Sequence, residues 1–240
     1  MQKINCILIL ILLGVSLRLR AQKLYPQNRP NYHKRPYFFG FHLCFNRGRF
    51  DQGLRSNFFL PDSILTIESK PETGFHIGPT VHVRLHHKLS LRFLPGYAFQ
   101  DRVVSYTLVN RKLPGNTESV EKRVQSSVLE FPLHFTYRTQ RINNFSAYAI
   151  LGGKYGLDLQ SQHKVEQLPG ANAILKTKPH DFGIESGAGF NFYLPYFKFG
   201  IELKYTVGMN NLLIQDNSTY TQPLEHLRSR LFTVGFTFEG

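Results

Sequence analysis

Tryptophan is missing from this 240-residue chain, cysteine occurs only twice, and Asp and Glu number 16 against 29 Lys and Arg. Each shortage excludes something. Cys6 lies in an apolar N-terminal run, so beyond that run only Cys44 remains, which rules out an intrachain disulfide and a thiolate zinc site. Without tryptophan, any belt of aromatic residues at a membrane interface has to be built from the 12 Tyr and 21 Phe. No charge-free apolar segment reaches the ~20 residues that a spanning helix needs.

The N-terminus carries Lys3, then apolar residues 4–15, then Ser16 to Ala21, the charged, apolar and cleavable order of a secretory signal peptide. Cleavage is expected after Ala21, although Leu19 is larger than the residue usually found two positions before a cut. Cys6 has no small-residue lead-in and is not read as a lipoprotein acceptor. Removing residues 1–21 removes Lys3, Arg18 and Arg20 and no acid, so the formal charge falls from +13 to +10. A basic exported chain points to lipid headgroups, lipopolysaccharide or acidic proteins as partners. Nucleic acid is not expected. Residues 22–36, QKLYPQNRPNYHKRP, hold three prolines, four Lys/Arg and no acid. They read as a basic, extended periplasmic leader, either a solvated tail or an arm for a periplasmic partner.

From Tyr37 on, the chain alternates with a period of two, as strand side chains must. Tyr37, Phe39, Phe41, Leu43 and Phe45 share one face against Phe38, Gly40, His42, Cys44 and Asn46. The pattern recurs at Phe75–Leu85, at Leu89–Phe99 with a possible extension to Val109, at Leu129–Tyr137, and less cleanly at Ala147–Leu157. Two long runs, Asp181–Phe192 and Phe197–Met209, follow, and the last is Phe232–Phe238. The 181–209 pair forms a hairpin around Leu194-Pro195-Tyr196, and its strands approach or exceed the ~9–11 residues that a tilted strand needs to cross a bilayer.

Connections around His86–Lys88, 141–144 and 194–196 are short, whereas 47–72, 110–125, 160–179 and 210–227 read as long polar loops. That rhythm predicts an all-β fold: an eight-stranded antiparallel up-and-down transmembrane β-barrel over 37–240, with short periplasmic turns and long extracellular loops. Both termini are then periplasmic, in the cell outer membrane.

A soluble barrel would alternate too, with its apolar face inward. The polar face decides between them. It repeats glycine, at Gly40, Gly78, Gly96, Gly152, Gly156, Gly183, Gly187, Gly189, Gly200, Gly208 and Gly235. A solvated strand face is weakened by glycine, but a narrow lumen needs small residues beside large ones. The large ones are Arg84, Arg92, Glu130, Arg138, Lys154, Glu185, Glu202 and Lys204, charges of both signs expected to pair inside the barrel. The opposite face is Phe, Leu and Tyr without central Lys or Arg, as lipid contact requires. An eight-stranded barrel is filled by its own side chains and makes a poor pore.

Chemistry is sought without yield. His42, His76, His82, His86 and His134 fall on the lumenal face, but at heights that force no three together, so they are read as polar filling and not as a metal site. Asp158, Ser161 and His163 are too close along one strand to make a nucleophile, base and orienter. No phosphate-binding glycine loop opens a helix. No enzyme, cofactor or metal is expected.

The strings FGFHLCFN (39–46), LSLRFLPGYAF (89–99), LEFPLHFTY (129–137), DFGIESGAGFNFYLPYFKFGIELKY (181–205) and NLL (211–213) resemble the PorT family of Bacteroidetes outer-membrane proteins, from about residue 36 to the end. LRFLPG and LEFPL also occur in general barrels of that phylum; their combination with FNFYLPYFKFGIELKY is what resembles PorT. The resemblance implies a non-enzymatic part in the type IX secretion system, which exports proteins with C-terminal sorting signals, acting with other secretion-machinery proteins. It implies no catalytic residue. The alternatives are a small barrel of another role, such as a lipid-modifying enzyme or an OmpA-like structural barrel.

Overall fold

The computed structural model describes residues 26–32, 35–55, 64–109, 117–161, 175–216 and 220–240. The expected signal peptide and its cleavage site lie outside them. Within them are twelve strands and no helix: β1 (Tyr37–Leu54), β2 (Ile64–Lys70), β3 (Glu72–Arg84), β4 (Leu89–Phe93), β5 (Gly96–Phe99), β6 (Arg102–Val109), β7 (Thr117–Val124), β8 (Ser127–Arg138), β9 (Phe145–Asp158), β10 (His180–Tyr193), β11 (Lys198–Gly208) and β12 (Leu224–Glu239).

Nine of these close into an antiparallel ring in the order β1-β12-β11-β10-β9-β8-β4-β3, with β5 also lying between β3 and β8 and with β3 returning to β1. β4 and β5 therefore share one lane, interrupted at Leu94-Pro95, and the ring has eight lanes. Pro95 has no N–H for the ladder. The neighbouring Leu94 N–H still reaches the Pro132 carbonyl of β8 at 3.1 Å, so the wall stays continuous across the break.

The wall has its apolar face outward. Phe39 and Leu151 are each 61% exposed and belong to a girdle that includes Phe41, Phe131, Phe135, Phe190 and Tyr205, while the alternate residues turn inward and are polar. A water-soluble barrel reverses this arrangement; lipid as the outer solvent explains it. Among the described residues no helix is long and apolar enough to cross a membrane, so crossing falls to the strands. Three tight turns at 85–88, 139–144 and 194–197 share one end of the ring with the start of β1 and the close of β12. In the middle turn Asn143 takes the left-handed conformation (φ 53°), which Asn tolerates better than most residues.

The other end departs from the expectation of loops. Residues 47–54 do not leave the wall but continue β1, which pairs with β3 only as far as Gly48 and with β12 as far as Leu54. The two strands thus run on as a ribbon beyond the ring. Residues 64–70 and 117–124 are the strands β2 and β7, and β6, expected as an extension of the third barrel strand, leaves the ring to pair between them. This second sheet lies against the ribbon and against 212–213, burying Phe50, Ile67, Val104, Tyr106, Leu175, Leu212, Leu224 and Leu227 in an apolar core. The protein's only large hydrophobic core among the described residues is therefore outside the barrel. Residues 102–106 are buried in succession, because this sheet is covered where a membrane strand would show alternate exposed positions.

The leader is also more ordered than a solvated tail. Residues 26–32 fold into the tight-turn mouth, where Tyr32 stacks on Phe38 at 4.1 Å between ring centroids and meets Tyr193 edge-on. The Asn28 N–H donates to Asn144 at 2.8 Å, and Asn28 Nδ2 donates to the Tyr193 carbonyl at 2.9 Å. The leader thereby adds hydrogen bonds to the 139–144 turn and to the end of β10.

Candidate functional site

Inside the ring the polar residues form a nearly continuous chain of ion pairs from one mouth to the other. At the tight-turn mouth Glu239, the last residue of β12, accepts from Lys198 Nζ at 2.5 Å, from His82 Nδ1 at 3.1 Å and from the Tyr32 hydroxyl at 3.2 Å. Burial, reinforced by the Glu239 carboxylate, pushes the Tyr32 phenol up, so the leader presents a neutral donor there. Further in, Arg92 of β4 bonds Glu202 of β11, and its Nη2 lies 3.8 Å from Glu239, which joins the mouth to the centre.

Glu202 is fully buried and Arg92 is 2% exposed. The Tyr148 hydroxyl donates to Glu202 at 2.7 Å, and Lys204 Nζ approaches the same carboxylate at 4.0 Å. Beside this pair Glu185 receives His134 Nε2 at 2.5 Å and the Thr206 hydroxyl at 2.7 Å. Towards the long-loop end Glu130 binds Lys154 at 2.8 Å, accepts from Gln100, and has His76 Nδ1 at 3.7 Å. Arg102 continues the chain to Gln100 at 2.8 Å. Charges held this far from water are tolerable only when paired in this way.

Room for the large groups comes from the small ones. The ring of Tyr148 crosses Gly189 so closely that a Cβ there would stand 2.5 Å from Cζ. Glycine at 189 is therefore what lets the phenol reach Glu202.

Of the eight charges expected in the lumen, Arg92, Glu130, Lys154, Glu185, Glu202 and Lys204 lie in this buried chain. Arg84 and Arg138 sit apart from it, half-buried at the tight-turn mouth, where Arg138 donates to the Tyr193 hydroxyl and the His87 carbonyl. Lys198, Glu239, Tyr148 and Gln100 belong to the chain although they were not singled out. All four have lumenal parity, so the period of two was the signal available for them. Tyr32, in a proline-rich segment, had none.

The histidines divide. His42 and His76 meet at 3.3 Å between Nε2 atoms, and His134 is committed to Glu185, but His86 is exposed in a tight turn and not lumenal, because β3 ends at Arg84. Among the described residues no group of three or more His, Cys, Asp or Glu is placed to hold a metal. Asp158 accepts from the Gln160 N–H and the Ser161 hydroxyl donates to the Thr177 carbonyl at 2.6 Å, neither bond being one of a catalytic relay; His163 lies outside the described residues.

Chemically, then, the lumen braces the wall. Solved structures similar to the chain include the outer membrane protein OprG of Pseudomonas aeruginosa, at 11% identity over 85% of this chain and 95% of that one, with a TM-score of 0.46. Others are the attachment invasion locus protein Ail of Yersinia pestis with the heparin analogue sucrose octasulfate, at 14% identity, 86% and 100% coverage and a TM-score of 0.38, and Neisserial surface protein A, at 11%, 83%, 95% and 0.38. No curated protein matches the chain. A family model described as outer membrane protein beta-barrel domain matches residues 21–213, from the leader through β11, and the chain belongs to that family.

Proposed function

We propose that this barrel is a non-enzymatic component of the type IX protein secretion machinery, similar to PorT, resident in the outer membrane with both termini periplasmic. The observation that favours a contact role over a conducting one is the Arg92–Glu202 pair, which joins opposite walls across the buried lumen. The resemblance of residues 181–205 to PorT supplies the machinery. On this reading the partners are other secretion-machinery proteins, met at the mouths and at the β2-β6-β7 cap, together with outer-membrane lipid and lipopolysaccharide around the Phe girdle. Nucleic acid has no part in it.

Deleting the gene is expected to abolish export of proteins bearing C-terminal sorting signals while leaving outer-membrane permeability normal. Altered lipid A with normal export would instead mark a lipid-modifying enzyme. Steady conductance of the purified protein in planar bilayers would overturn the contact reading.

A further inference from the structure

The tight-turn mouth holds a cavity whose charged walls, among the described residues, are all cationic or histidine: Arg84, Arg92, Arg138 and Lys198 line it with His82 and His87. Two of these cations are answered, Lys198 by Glu239 and Arg92 by Glu202. Arg84 is different. Its Nη2 is buried without an acceptor, and Arg92 likewise keeps Nε and Nη2 without a hydrogen-bond acceptor. Buried guanidinium donors call for an oxygen acceptor, and two guanidinium forks lining one cavity can share the several oxygens of one tetrahedral oxyanion. Ser90 and Thr136 line the same space, the Thr136 hydroxyl donating to the Ser90 carbonyl at 3.3 Å.

The cavity measures about 30 Å³, enough for a couple of water-sized groups and too little for a whole metabolite. A ligand would therefore insert a single oxyanion group and leave its remainder outside. The leader forms the roof: Tyr32 lines the cavity, and its segment is tied down through the Asn28 carbonyl, which accepts from Arg141 at 2.5 Å.

We propose that this mouth is an anion-binding site that takes one phosphate group, held by Arg84 and Arg92 and closed over by the leader. The phosphate group is either that of a soluble phosphate or that of a lipid headgroup at the membrane surface. The site is independent of the role in secretion proposed above.

The test is calorimetric titration of the full-length barrel in detergent with inorganic phosphate at fixed ionic strength, chloride serving as control anion. The expected result is saturable binding at one site, at least tenfold tighter than chloride. Arg84→Gln should weaken it at least tenfold with the heat-modifiable gel mobility of a folded barrel unchanged, and Arg84→Lys should restore part of it. Arg228→Gln, exposed at the far end, should leave it as it is. If Arg84→Gln does not fold, Arg138→Gln is read in the same way. Repeating the titration in phosphatidylglycerol nanodiscs and in a maltoside detergent, which carries no phosphate, separates the sources. Loss of apparent phosphate affinity in the nanodiscs identifies the headgroup, and equal affinity in both identifies a soluble phosphate. Absence of saturable phosphate binding, or equal binding by a folded Arg84→Gln barrel, overturns the proposal.

Discussion

Arg92 on β4 and Glu202 on β11 occupy lanes half-way round the ring from one another, and their side chains meet in the middle of it. A single ion pair thus ties opposite walls together. Removing one partner leaves the other charge buried and unanswered, which costs about 3–5 kcal/mol, whereas replacing both by apolar groups of similar size is often close to neutral. Arg92→Met is expected to lower unfolding stability by that amount, and Arg92→Met with Glu202→Leu to regain at least half. Urea unfolding in lipid vesicles, followed by gel mobility since the chain has no tryptophan, reads both.

Tyr148 delivers its hydroxyl to Glu202 across Gly189. A hydrogen bond to a charged group contributes ~1.5–3 kcal/mol, so Tyr148→Phe should lose about that much. Gly189→Ala forces the ring aside at a cost of ~1–3 kcal/mol. The two losses should not add, because both act on one contact; a double-mutant cycle in the same unfolding assay gives the coupling.

The cap and the ring have separate cores. Leu227 is fully buried in the cap. Leu227→Ala should cost ~2–5 kcal/mol by opening a cavity there. The expected outcome is local: limited proteolysis should cut the long-loop end of the variant while the ring keeps its wild-type heat modifiability.

Asp51, on the ribbon beyond the ring, accepts from Arg230 Nη2 at 2.7 Å and Nε at 3.2 Å, and this hydrogen-bonded cation holds its carboxyl below the usual carboxylate range. With the folded value lower than the unfolded one, ~3.9, the pair's contribution is complete above that pH and is lost as pH falls through the folded value. The pair is half-exposed, so the contribution is only about 0.2–1 kcal/mol. Asp51→Asn should therefore differ from wild type at pH 7 and converge with it as the pH falls through the folded value of Asp51, as thermal unfolding in detergent across an acid pH series would show.

Much of the wall is legible in the sequence because alternation is a local property. Glu185 and Glu202 have lumenal parity in the sequence, and both are buried in the structure. Arg92, Glu130, Lys154 and Lys204 follow by the same rule. Residues 64–70 and 117–124 read as polar loop because β2 and β7 each expose one face to water and bury few side chains, so their strand character rests on β6 as a common partner. β6 itself, buried along 102–106, carries no period of two to separate it from the barrel strand before it.

By itself the sequence determined an all-β membrane wall, its inward and outward faces, and a charged, glycine-spaced lumen, because side-chain direction in a strand depends only on counting by two. Only the tertiary structure decided who meets whom: Arg92 with Glu202, Glu239 with Lys198, Tyr32 with the tight-turn mouth, and the extra sheet with the β1–β12 ribbon. Those contacts join residues far apart in sequence, and ring closure and strand stagger, which no local pattern encodes, set their distances.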